Sequence, residues 1–107
     1  MALAAETIGE LLVRARTERG VTQSRLADRL CAASGQATVT RNEISRWERG
    51  ERIPSGYWLN WLGVVLEVPT EQLERATAAA RIFRQFNRHA PAGWVLVQPG
   101  VYQRVAS

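Results

Sequence analysis

Four times within the first seventy residues, a serine or threonine opens a stretch of helically spaced apolar residues that a glycine or proline then closes. Thr7 precedes Ile8, Leu11, Leu12 and Ala15, with Gly20 as the stop; Thr22 precedes Leu26, Ala27 and Leu30, with Gly35 as the stop. Thr40 precedes Ile44 and Trp47, with Gly50 behind them, and Ser55 opens a run that ends before Pro69. A hydroxyl at such a position accepts from an amide that the first helical turn leaves unpaired, and glycine adopts the left-handed conformation that ends a helix. Thr7 with Glu10, and Thr40 with Glu43, also have the spacing of a capping box, in which the carboxylate reaches back to the threonine amide. Val21 with Leu26, and Val39 with Ile44, stand at staple positions around two of these caps. Each apolar set shares one face of its helix, so the chain predicts a bundle of helices joined by short breaks.

A fifth helix is expected from Glu71 to about Asn87, capped by Thr70 after the break at Val68-Pro69. It carries two apolar stripes: Leu73, Ala76, Ala80 and Phe83 on one, Ala79, Ile82 and Phe86 on the other. One stripe closes the core; the second needs either the C-terminal tail or another subunit. The fourth helix has Tyr57, Trp58, Leu59, Trp61, Leu62, Val65 and Leu66 around a wide arc, which predicts the central, most buried element. Beyond Pro91 the character changes. Trp94 to Val97 and Val101 to Val105 are β-prone runs on either side of Gln98-Pro99-Gly100, and they read as a hairpin too small to be stable alone. The expected organisation is a flexible lead over residues 1–6, a helical domain over 7–89 and a hairpin tail over 90–107. The fold class is all-α: five helices with a small C-terminal β-hairpin.

A length of 107 residues suits one domain. No apolar run reaches the length of a membrane span and the N-terminus lacks a basic leader, so the expected compartment is the cytoplasm. Cys31 is the sole cysteine and has no internal disulfide partner. His89 is the sole histidine, no His or Cys cluster has metal-ligand spacing, and no nucleophile has a base beside it. The glycines form no phosphate-cradling loop. An enzyme is therefore not expected, nor a cofactor or a metal. The formal charge is +4 and all fourteen basic residues are arginine, of which Arg41, Arg46, Arg49 and Arg52 fall close together. A basic balance permits a polyanionic partner without requiring one.

That cluster directs attention to TRNEISRWERG, Thr40 to Gly50. Ile44 and Trp47 face inward, leaving Arg41, Asn42, Ser45, Arg46 and Arg49 on the remaining surface. Arginine and asparagine suit bidentate contacts with guanine and adenine edges. The segment alone reads equally as a solvated helix with ordinary surface arginines. Gln23, on the first turn of the second helix, sits where free amides and the helix dipole welcome a phosphate; its other reading is a plain surface glutamine.

Three segments, IGELLVRARTERGVTQSRLADRL, ISRWERGERIP and LNWLGVVLEVPTEQL, together resemble the phage-repressor and Cro-like family of helix-turn-helix DNA-binding proteins, of the xenobiotic-response-element type. The resemblance covers roughly Ile8 to Arg84. It implies a sequence-specific, double-stranded-DNA-binding transcriptional regulator acting as a homodimer, with a recognition helix from about Thr40 to Arg49 in the major groove. Gln23 matches a phosphate-contacting glutamine. Thr40, Arg41, Asn42 and Arg46 match positions that meet phosphates and base edges, and Ser45 falls where a residue also approaches DNA. Arg49 and Arg52 join them as candidate phosphate contacts. Arg16 and Glu48 match a buried structural ion pair. One departure stands out: nine residues, Ala32 to Thr40, separate Cys31 from Arg41, about seven more than in a typical member of this motif. Either the second helix runs a turn longer or a loop bulges beside the DNA, where Gln36 and Thr38 serve as connectors or as added phosphate contacts. Ile82, Phe86, Trp94 and Tyr102 form the candidate dimer surface; the competing arrangement folds the tail over its own bundle. An alternative from another class is an antitoxin or adaptor of the same fold, with the tail binding a partner protein.

Overall fold

The computed structural model describes residues 6–89, 93–98 and 101–104. Its elements are α1 (Ile8–Glu18), α2 (Gln23–Ser34), α3 (Arg41–Glu48), α4 (Gly56–Leu66), α5 (Thr70–His89), β1 (Trp94–Gln98) and β2 (Val101–Arg104). The fold is all-α with a small terminal hairpin, as the sequence predicts. Most of the expected lead, the Pro99-Gly100 turn and the last three residues lie outside the described residues.

The caps explain where the helices begin. At α1 the full capping box forms: the Glu10 amide donates to Thr7 Oγ1 at 3.3 Å, and the Thr7 amide donates to Glu10 Oε1 at 3.0 Å. Thr22 accepts from the Arg25 amide, and Ser55 from the Trp58 amide. At α3 only half of the expected box is present. Thr40 Oγ1 accepts from the Glu43 amide at 3.4 Å, but the Glu43 carboxylate accepts from Arg52 Nη1 instead of the Thr40 amide. A guanidinium is a stronger donor to carboxylate than a neutral amide. Thr70 is not the cap of α5 either; it is the first helical residue. The Pro69 carbonyl accepts from the Gln72 and Leu73 amides, so a main-chain oxygen takes the place of a side-chain cap there.

The centre of the core is α1, not α4. Ile8, Leu11, Leu12 and Ala15 are each essentially inaccessible, and α1 packs on both α3 and α5. The expectation for α4 is corrected: it buries only Leu62 and Leu66. Trp58, Leu59, Trp61 and Val65 are half-buried, while Tyr57 and Val64 are exposed. Its neighbours are α2 and α5, so its wide apolar arc exceeds the surface available to cover it. The Tyr57 and Trp58 rings meet edge-to-face, 5.0 Å between centroids.

On α5, Leu73, Ala76, Ala79 and Ala80 are buried, Phe83 and Phe86 are half-buried, and Ile82 is exposed. Strands β1 and β2 pair antiparallel, with Trp94 opposite Arg104 and Leu96 opposite Tyr102, and a register shift between Leu96 and Gln98. Strand β1 packs on α5. Within the chain, the hairpin thus has α5 to support it, as a two-stranded ribbon needs in order to be stable. Trp94 remains 42% exposed. The Tyr102 side chain lies outside the described residues.

Candidate nucleic-acid interface

Helix α3 has eight residues and two inward anchors, Ile44 and Trp47, at 0% and 2% exposure. At about 100° per residue, Arg41, Asn42, Ser45, Arg46 and Arg49 then fall within an arc of about 140° on the opposite side. Arg41, Asn42, Arg46 and Arg49 are exposed and Ser45 is half-buried. Among the described residues, the side chains of Arg41, Asn42 and Arg46 have no hydrogen-bond or ion-pair partner. Four guanidinium and amide groups on one outward surface form a donor-rich face.

The opposite side of α3 is locked by polar contacts as well as by packing. Arg16 grips Glu48 bidentately, Nε to Oε2 at 2.7 Å and Nη2 to Oε1 at 3.1 Å, with side-chain exposures of 15% and 6%. Arg16 Nη1 also donates to the Val21 carbonyl at 3.0 Å. Gln23 Nε2 donates to Glu48 Oε1 at 2.8 Å. One carboxylate therefore ties together α1, the start of α2 and the end of α3, and fixes the angle at which α3 is presented. Gln23 is half-buried and belongs to this network; it is neither a plain surface residue nor a side chain aimed wholly outward. Sequence reasoning missed that link, because a Gln23–Glu48 contact has no local spacing signal.

Gly9 supplies a second link between α1 and α3. A Cβ on Gly9 would stand 2.6 Å from the Glu48 carbonyl oxygen and 2.8 Å from that of Trp47. Glycine inside a helix costs about 1 kcal/mol relative to alanine, so Gly9 within an apolar run was itself the clue to a close backbone approach. It lets α1 lie directly against the C-terminal end of α3.

Arg49 and Arg52 carry exposed ion pairs. Arg49 Nε lies 2.7 Å from Glu51 Oε2, and Arg52 Nη1 lies 3.4 Å from Glu43 Oε2. Pairs so open to solvent contribute little and exchange readily for another anion. Thr40 is exposed and spends its hydroxyl on the cap.

The longer connection between α2 and α3 combines a longer second helix with an irregular stretch. Helix α2 runs to Ser34 and ends at Gly35 in the left-handed conformation, φ 74°. Residues 36–40 then lead irregularly into α3. Val39 is buried against the core, and its carbonyl accepts from the Cys31 thiol at 3.3 Å.

The family model described as helix-turn-helix matches residues 12–56, from the middle of α1 to the start of α4. It is of the Cro/C1 type and agrees with the phage-repressor resemblance of the sequence. A domain of this kind supports a DNA-binding regulator in general terms. No curated protein and no solved structure matches the chain.

Proposed function

We propose that this Cro/C1-type helix-turn-helix, at residues 12–56, regulates transcription by laying α3 in the major groove of a specific double-stranded DNA site. The observation that carries this reading is the outward arc of α3. Arg41, Asn42 and Arg46 are exposed on one side, with no partner among the described residues, while Ile44, Trp47 and the Arg16–Glu48 pair hold the other side in the fold. Arg41, Asn42 and Arg46 read base edges. Thr40, Ser45, Arg49 and Arg52 hold phosphates and set the register. Gln23 contributes at the start of α2, where the first-turn amides and the helix dipole attract a phosphate.

A helix of eight residues buries too little surface for high specificity, so the regulator acts as a homodimer on paired half-sites in the cytoplasm. The dimer surface is the face of α5 and β1 around Ile82, Phe86 and Trp94, together with Tyr102 on β2. Ile82 and Trp94 are exposed there, at 56% and 42%. The same exposed pair favours the second reading, an adaptor or antitoxin whose tail binds another protein.

Selection of bound duplexes from a random pool separates the two. A recovered palindrome, bound with a steep salt dependence, supports the homodimeric regulator. Failure to enrich any duplex leaves the adaptor.

A further inference from the structure

We infer that the exposed segment Gln36–Thr38 is a second DNA-contacting element: a neutral clamp on the phosphates beside the bases met by the N-terminal end of α3. The inference rests on the DNA-binding reading above and adds a contact that the short turn of the motif has no residues to make. Two anchors define the segment. On one side Gly35 ends α2, and the Gln36 amide donates to Ser34 Oγ at 3.1 Å. On the other, Val39 is 5% exposed and its carbonyl takes the Cys31 thiol bond. Between them Gln36, Ala37 and Thr38 are all exposed, and neither the Gln36 nor the Thr38 side chain has a hydrogen-bond partner among the described residues.

Chain length bounds how far this segment can lie from the bases. Thr38 precedes Arg41 by three residues, so their Cα atoms are at most about 11 Å apart. The major groove is about 12 Å wide. With Arg41 and Asn42 over the base edges, Thr38 and its neighbours are within reach of the groove's phosphate wall. The chemistry available there is the Gln36 side-chain amide, the Thr38 hydroxyl and the main-chain N–H groups of Ala37 and Thr38, all donors suited to phosphate oxygens. Ala37 adds only a methyl group, which lets the main chain come close. No cation lies in the segment, so the contact is made by neutral hydrogen bonds.

This assignment has a distinctive signature. The duplex recovered from the random pool is the probe, and phosphate ethylation interference maps which phosphates the protein touches. The double variant Gln36→Ala/Thr38→Ala should bind about tenfold more weakly, from two neutral hydrogen bonds of ordinary strength. Its interference should fade at the phosphates flanking the α3 contacts, and the slope of affinity against salt should not change, because no charge is removed. Ala37→Glu should weaken binding more strongly by repelling the same phosphates. Thermal unfolding midpoints like that of the wild type would show that both variants are folded. Wild-type affinity in both variants, or an unaltered interference pattern in a weakened double variant, would overturn the clamp while leaving α3's role intact. A pool that yields no bound duplex would remove the DNA reading, and the clamp with it.

Discussion

Gly9 and Glu48 meet backbone to backbone: a Cβ on Gly9 would stand 2.6 Å from the Glu48 carbonyl oxygen, closer than any side chain can lie. The same Glu48 carries the carboxylate held by Arg16 and Gln23. The end of α3 is therefore set against α1 twice over, by steric fit through its main chain and by charge through its side chain. The orientation of the exposed arc follows from these two contacts.

Gly9→Ala should destabilise the fold by about 1–3 kcal/mol, the range for overpacking a close contact, despite alanine's better helix propensity. Urea unfolding reads this directly as a lowered midpoint. An unchanged or raised midpoint would show that α1 and α3 can separate at no cost.

Arg16→Met leaves Glu48, 6% exposed, without its guanidinium partner. Loss of one side of a buried pair costs about 3–5 kcal/mol. The double change Arg16→Met/Glu48→Met removes the stranded charge and should recover part of that loss. Equal stability of the single and double variants, by denaturant unfolding, would count against a buried charge as the cause.

Arg41→Ala and Arg46→Ala should each weaken specific binding by about 1–3 kcal/mol and relax the preference at one base position. Arg49→Ala and Arg52→Ala should weaken binding to all sequences alike and reduce the salt slope by about one each. Binding titrations at several salt concentrations distinguish the two classes. Wild-type affinity in both of the first pair would remove them from base reading.

The caps and stops were legible because each depends on residues three or four apart. Thr7, Thr22, Thr40 and Ser55 all cap as expected, and Gly20, Gly35 and Gly50 all take positive φ. The inward anchors Ile44 and Trp47 were legible for the same reason. What sequence spacing did not carry was competition between distant groups. Glu43 turned to Arg52 and Gln23 to Glu48, and neither choice has a local signature. Burial of α4 was misjudged on similar grounds: an apolar arc records what a helix can bury, whereas its place at the bundle's edge decides what it does bury. The Arg16–Glu48 contact, 32 positions apart, came from the family resemblance and not from periodicity.

Ile82→Asp combined with Trp94→Ser should convert a dimer to a monomer in sedimentation velocity and weaken binding to a paired site far more than to a single half-site. These positions are exposed in the folded chain, so its unfolding midpoint should change little. A monomeric wild type would assign the surface to a different protein partner.

On the reading proposed here, the solvent-facing arc of α3 is the DNA-reading surface. Amide chemical shifts of the labelled protein, followed while the selected duplex is added, test it most directly. The largest changes should fall on Arg41, Asn42, Ser45 and Arg46, with Gln23 and the α2–α3 connection next and the outer face of α4 unaffected. Changes confined to α4, α5 and the hairpin, with α3 silent, would contradict it.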